Sequence, residues 1–316
     1  MSNQIKLAVS PHIHSGNSTR RIMLDVLIAL MPTTIAGAII FGWKSLTIIA
    51  ACVISSVGFE ALFNLITKRK QTIGDLSAAV TGLLLALNLS VVEQNIGITI
   101  FQCVIGSLVA IIVVKCLFGG IGCNVVNPAI TARVFMLIAF GSMAKVGLPT
   151  IVDSVSSATP LSVESAEQLP SIMDLFLGLR GGAIGEVCIL ALLIGFVYLL
   201  VRKVISWHIP VAFIATVFIA TLFKEGMDVN MALTMTLSGG LFLGAIFMAT
   251  DYVTSPSTAW GKVIFGVGAG LITFLIRYFG GYPEGVSFAI LLMNILNPYI
   301  ESWTKHRILV KGGKKA

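Results

Sequence analysis

Charge is what this chain has least of. Only 11% of its 316 residues are Asp, Glu, Lys or Arg, where soluble globular domains carry about a quarter. Hydrophobic residues make up 56% and the mean hydropathy is +0.97. A soluble domain is thereby excluded, and the lipid bilayer is the expected solvent. Phosphate-cradling GxxxxGK[ST] loops, GxGxxG runs after a strand and zinc-binding HExxH are all absent. His208 and His306 flank apolar segments with no metal partner in view. The five cysteines, Cys52, Cys103, Cys116, Cys123 and Cys188, are odd in number and spread over apolar segments. They make neither a disulfide framework nor the four converging thiolates of an iron–sulfur cluster, and read as buried structural residues. The first 21 residues are polar and contain no apolar run ending in a small-residue cleavage site, so no removable signal peptide is expected.

What is present is a series of apolar runs. About 20 apolar residues cross a bilayer core, and candidates fall at 22–42, 45–67, 73–90, 95–117, 124–141, 184–202, 208–224, 230–250, 260–279 and 284–302. The formal charge of +7 invites a nucleic-acid reading, but the basic residues sit at the ends of these runs. With a cytoplasmic N-terminus, the inner segments hold Lys6, Arg20, Arg21, Lys68, Arg69, Lys70, Lys115, Arg202, Lys203, Lys262 and the cluster from Lys305 to Lys315. The outer segments hold Lys44, Lys145, Arg180, Lys224 and Arg277. That bias predicts cytoplasmic N- and C-termini and no nucleic acid partner.

The chain also looks duplicated. Phe118-Gly119-Gly120 recurs as Phe279-Gly280-Gly281, Leu76-Ser77 as Leu237-Ser238, and Asp25 maps onto Glu186, all at an offset of 161. The expected fold is an all-α integral membrane protein, about ten transmembrane helices arranged as two inverted five-helix repeats. The layout is a cytoplasmic segment 1–21, repeats 22–141 and 184–302, a loop 142–183 on the external face, and a basic cytoplasmic tail 303–316. Inverted repeats place their site at the interface of the halves, often where helices are broken. The broken-helix candidates are the Gly74–Ser90 run, ending near Asn88, and its partner with Ser238, Gly239 and Gly240 and the polar tail Thr250, Asp251, Thr254.

Charged groups inside lipid cost several kcal/mol unless paired or wetted. The candidates for an ion path are therefore Glu60, Asp25 and Glu186, with Arg133 as a partner for Glu60. Asp25 and Glu186, each one turn into its predicted helix, also suit capping at the positive helix end.

The longest linker, 142–183, carries Asp153-Ser154-Val155-Ser156-Ser157-Ala158-Thr159-Pro160. Composition alone reads it as a solvated connector that Pro160 keeps from continuing as helix. The sharper alternative is an attachment point, since an accessible threonine among small residues can be esterified by a modifying enzyme. Here the residues resemble a known family: the D subunits of the Rnf complexes, ion-pumping ferredoxin:NAD oxidoreductases, and the similar B subunits of the sodium-pumping NADH:quinone oxidoreductases. The carriers are Ser10-Pro11-His12, the Gly122–Pro128 run with Asn127-Pro128-Ala129, Gly182-Ala183-Ile184-Gly185-Glu186, Phe247-Met248-Ala249-Thr250-Asp251 and, above all, Ser157-Ala158-Thr159. The family more often has glycine at the position of Ser157, and proline where this chain has Tyr252.

The resemblance implies FMN joined to Thr159 by a phosphoester bond, installed by a flavin transferase that reads Asp153, Ser156, Ser157 and Ala158 around it. It further implies a second, noncovalent flavin, riboflavin, with surroundings assigned to Asn88, Ser238, Gly239, Gly240, Thr250, Asp251 and Thr254. The implied protein is an electron carrier of the cell membrane within a redox-driven Na+ or H+ pump. Its partners are another covalent flavoprotein and iron–sulfur proteins of the same complex, since this chain has no nicotinamide fingerprint of its own. The rival reading is an inverted-repeat transporter or channel with no redox cofactor.

Overall fold

The structure, a computed structural model, describes residues 18–92, 94–141, 171–280 and 285–313, with side chains described to residue 305. It is helical throughout, with no strand among the described residues.

The helices begin where the sequence offers polar caps. Ser18 accepts from Arg21 N to start α1 (Thr19–Phe41), Asn95 caps α4 (Ile96–Leu108), and Asn127 followed by Pro128 starts α5 (Pro128–Ala139). Each cap satisfies N–H groups that the first turn leaves without a helical partner. The elements α2 (Trp43–Ile66) and α3 (Ser77–Leu87) lie between the first two of these. A short α6 (Ile172–Leu177) is followed by α7 (Ile189–Val201), α8 (His208–Lys224), α9 (Val229–Leu237), α10 (Leu241–Leu243), α11 (Ala259–Phe279) and α12 (Val286–Gly313). Two helices change pitch: α4 runs on as a π-helix over Val109–Cys116, and α10 as one over Gly244–Met248.

Four helices among the described residues are long and apolar enough to cross a membrane, or five if the pair α9 and α10, bent by 64°, is one broken span. Their outer faces are apolar: Ile39 is 63% exposed and Ile54 71%, and on the shorter α7 Val201 is 75% exposed. Lipid, not water, suits such a surface.

Several expected spans are shorter than their hydropathy implies. The 73–90 run holds an α3 of 11 residues and the 124–141 run an α5 of 12. At 1.5 Å per residue α3 covers about 16 Å, half a bilayer core. Its end has a local cause, since Asn88 Nδ2 donates to Leu84 O at 2.7 Å and competes with the helix ladder. The 184–202 run begins as a turn, whose backbone meets the exit of α3 through Ile184 N to Leu89 O (3.0 Å) and Gly185 N to Leu87 O (2.8 Å).

Glycine lets these pieces touch. α1 packs on α7, and a Cβ at Gly195 would lie 2.3 Å from Ala29 O. α8 packs on α11 through Gly266 and Gly270, whose added Cβ atoms would meet Ile209 O at 2.9 Å and Phe213 O at 3.0 Å. Such small-xxx-small faces are how membrane helices approach closely.

Candidate functional site

The short helices leave space where they converge. A cavity of about 300 Å³ lies between the start of α1, the start of α3, the end of the first π-helix, the start of α5, the end of α7 and the exit of the second π-helix. One side is apolar, with Ile22, Met23, Val26, Leu84, Leu199 and Phe247. Along the rest run Lys115, Asn124, Asn127, Thr250 and Asp251.

A hydrogen-bond network fixes the polar side. Asn127 Oδ1 accepts from Ala129 N at 3.0 Å, and its Nδ2 donates to Met248 O at 3.2 Å. With its amide oriented to satisfy both neighbours, Asn294 of α12 accepts from Asn127 N at 3.1 Å and donates to Thr254 O at 3.2 Å. Thr254 Oγ1 donates to Asp251 Oδ2 at 3.1 Å. Burial pushes the Asp251 carboxyl above its usual range, against the opposing pull of Thr254, the Val253 N–H and Asn124.

The residues assigned to the second flavin do not form one group. Thr250 and Asp251 line the cavity. Asn88 is not among the lining residues and donates from Nδ2 to Met248 Sδ at 3.5 Å. Ser238, Gly239 and Gly240 form the break between α9 and α10, where a Cβ on Gly240 would meet Glu186 Oε2 at 3.2 Å. The half-span geometry separates them, because the break and the polar tail are at opposite ends of α10 and its π extension. The hydroxyls of the tail are also satisfied locally, Thr250 Oγ1 by Ile246 O at 2.6 Å and Ser255 Oγ by Asp251 O at 2.6 Å.

The acidic residues are placed differently from expectation. Glu60 pairs with Lys115, 3.0 Å from Oε2 to Nζ, and not with Arg133. Glu60 Oε1 accepts from Thr72 Oγ1 at 2.6 Å, and Lys115 also donates to Ser77 Oγ at 2.6 Å. Lys115 sits in the π-helix, whose extra residue per turn changes which side chains face α2. Asp25 is not a cap. It lies well inside α1 and accepts from Tyr198 OH at 3.0 Å and from Arg202 Nε and Nη2 at 3.3 Å each, joining α1 to α7. Glu186 precedes α7 and holds a turn, its Oε1 accepting from Ala183 N at 2.9 Å. Cys123 is exposed, whereas Cys52, Cys103 and Cys116 are buried as expected.

Two arginines escape the sequence reading. Arg180 Nη2 donates to Glu186 O at 3.0 Å and to Leu237 O at 3.1 Å. Arg277 donates to Met235 O at 2.8 Å and to Ser238 O at 3.0 Å. Together they cap the C-terminal end of α9 at the break. The available signal is arginine beside Gly-Gly (180–182) and arginine three residues before Gly-Gly (277–281). Asp153, Ser156, Ser157, Ala158 and Thr159 lie outside the described residues.

Apolar spans, a broken helix pair and a charged-walled cavity between the helices define a multi-pass membrane protein. The chain belongs to the NQR2, RnfD, RnfE family, whose model matches residues 6–310. It is 46% identical over 315 residues to the D subunit of the Na(+)-translocating ferredoxin:NAD(+) oxidoreductase complex of Acetobacterium woodii, covering 97% of this chain and 96% of that one. It is 36% identical over 321 residues to the D subunit of the proton-translocating ferredoxin:NAD(+) oxidoreductase complex of Clostridium ljungdahlii, covering 96% and 95%. It is also 36% identical over 351 residues to the D subunit of the ion-translocating oxidoreductase complex of Salmonella arizonae, covering 96% and 97%.

Proposed function

We propose that this chain is the membrane electron carrier of an Rnf-type complex that couples ferredoxin:NAD oxidoreduction to Na+ or H+ export. The observation that carries the reading is full-length similarity, 46% identity over 97% of the chain, to a component of a complex so named. The run from Asp153 to Thr159 supports FMN esterified to Thr159. A tethered cofactor keeps an effective concentration that a free ligand does not reach. The neighbouring proteins of the complex, a second covalent flavoprotein and iron–sulfur proteins among them, supply and remove the electrons, and a flavin transferase loads Thr159.

The cavity suits the second, noncovalent flavin. A volume of about 300 Å³ falls at the lower end of small-molecule sites. Its apolar wall matches the faces of a fused aromatic ring, and Asn124, Asn127 and Asp251 match a polar edge. When bound there, a flavin supplies one- and two-electron redox chemistry. The protein's part is to orient the ring, exclude water with Ile22, Val26, Leu84 and Phe247, and place charge beside it through Lys115 and Asp251. The charge bias puts this end of α1 at the cytoplasmic face and the Thr159 loop on the external one.

Co-expression with the flavin transferase, denaturation in detergent and in-gel fluorescence test the attachment. A fluorescent wild-type band that vanishes in Thr159→Ala is the expected result. A dark wild-type band, with the transferase active on a control substrate, overturns it and favours a transporter without a redox cofactor, with Glu60 and the broken helices as its path.

A further inference from the structure

The Glu60–Lys115 pair is one part of a longer chain of hydrogen bonds. Asn64 Nδ2 donates to Thr72 Oγ1 at 3.0 Å, and Thr72 Oγ1 donates to Glu60 Oε1 at 2.6 Å. Lys115 Nζ donates to Glu60 Oε2 at 3.0 Å and to Ser77 Oγ at 2.6 Å. Ser77 Oγ in turn donates to Asp75 Oδ1 at 2.5 Å. Both arms reach solvent: Thr72 is exposed and Asp75 is half-buried, whereas Glu60, Ser77 and Lys115 are buried. At the inner end, Ser77 and Lys115 lie on the cavity wall. The charged or titratable groups around Lys115 are Glu60 on α2, Asp75 before α3, the neighbouring Cys116 and the Arg69 charge that acts on it, and Asp251 and Tyr252 on the same cavity wall.

A buried ion pair fastened only for stability needs neither a hydroxyl chain to the surface nor a place on a cavity wall. We infer that Asp75, Ser77 and Lys115 form a proton relay from the membrane face to the cavity, with Lys115 the catalytic residue that protonates the bound ligand as it is reduced. The inference rests on the reading above that the cavity takes a noncovalent flavin, a heteroaromatic ring with basic nitrogens. The electron comes from a neighbouring one-electron carrier of the complex. Lys115 gives a proton from Nζ to a ring nitrogen: the Nζ–H bond breaks and a ring N–H bond forms. Asp75, an acceptor in the resting structure, takes a proton from water and passes it to Ser77 as Ser77 gives its hydroxyl proton to the resulting amine, so Asp75 ends as the carboxylate it began as. The sum is one electron and one proton added to the ring, with Lys115 a cation again. Glu60 is a positioning residue. Held by Thr72, it fixes the direction of the Lys115 ammonium, which donates to it at 3.0 Å. The hydroxyl of Ser77 serves either direction by rotating about its Cβ–Oγ bond.

Asp75→Asn is the principal test, because the amide oxygen still accepts from Ser77 N, as Asp75 Oδ1 does at 2.8 Å, while its titratable proton is gone. Ser77→Ala is the second variant and cuts the chain at its middle. The purified complex is rapidly mixed with dithionite in H2O and in D2O. The absorbance phase of the noncovalent flavin is the one missing when Val26→Trp fills the cavity. Acid extraction measures the noncovalent flavin content independently. Full flavin content, a phase slowed roughly a hundredfold in both variants, the scale of general acid catalysis, and recovery of Asp75→Asn by added imidazole are expected. Full flavin content with wild-type rates and an unchanged deuterium effect in both variants overturns the relay and leaves the flavin reading intact. Absence of noncovalent flavin from the wild-type complex overturns the flavin reading, and the relay with it.

Discussion

Lys115 Nζ stands 3.0 Å from Glu60 Oε2, with the two side chains 4% and 3% exposed. The pair joins α2 to the π-helical end of α4 and closes one side of the cavity. Removing one partner leaves the other charge buried and uncompensated, which costs about 3–5 kcal/mol. Glu60→Gln and Lys115→Met alone are each expected to lower the thermal midpoint of the detergent-solubilised complex markedly. The double variant is expected to recover most of the loss, because no lone charge remains. A double variant no more stable than the worse single one would show that the pair is not coupled.

Gly195 separates packing from propensity. A Cβ there would come within 2.3 Å of Ala29 O, and the atom it meets is backbone, which has nowhere to go. Gly195→Ala is therefore expected to force α7 off α1 and destabilise by about 1–3 kcal/mol, the scale of overpacking. Gly58 on α2 meets nothing within 4 Å, and Gly58→Ala is expected to be neutral or to stabilise by about 0.5–1 kcal/mol through helix propensity. Thermal unfolding of the two variants side by side checks the opposite signs.

Both cases show what the sequence carries and what it hides. The long apolar spans follow from local composition, and they appear where expected, whereas the helix start at Asn127-Pro128 lies inside the expected 124–141 run. The partners of the charges do not. Tyr198 and Arg202 lie 173 and 177 residues from Asp25 along the chain, a contact no local pattern encodes. The Glu60 partner stays hidden because a regular helical period fails at Lys115, where the structure has a π-helix. The half-length α3 is hidden because hydropathy counts apolar residues and ignores the Asn88 side chain competing for the ladder.

Arg180 and Arg277 hold the broken end of α9. Arg277 alone serves Met235 O at 2.8 Å and Ser238 O at 3.0 Å, carbonyls that the helix itself leaves open. Arg277→Met strips both bonds within an apolar surrounding, at about 1–3 kcal/mol for each buried acceptor left unsatisfied. The expected result is local: hydrogen exchange accelerates across Val229–Leu237 while α1 and α2 keep their protection. Uniform acceleration across the chain would mean that the arginine supports the whole fold and not the break.

Filling the cavity tests its role without touching a charge. Val26 belongs to the apolar wall on α1, and Phe247 lies on the same wall from the second π-helix. Val26→Trp places an indole in the space assigned to the noncovalent ring and leaves Lys115, Asp251 and the Thr159 loop unaltered. A complex carrying this substitution is expected to lose its acid-extractable flavin while the in-gel fluorescence of the covalent flavin persists. That split matters because general misfolding would remove both signals, whereas a filled pocket removes one. Retention of the noncovalent flavin at wild-type stoichiometry would place it elsewhere in the complex. The polar side from Lys115 to Asp251 would then serve the moving ion instead of a ring.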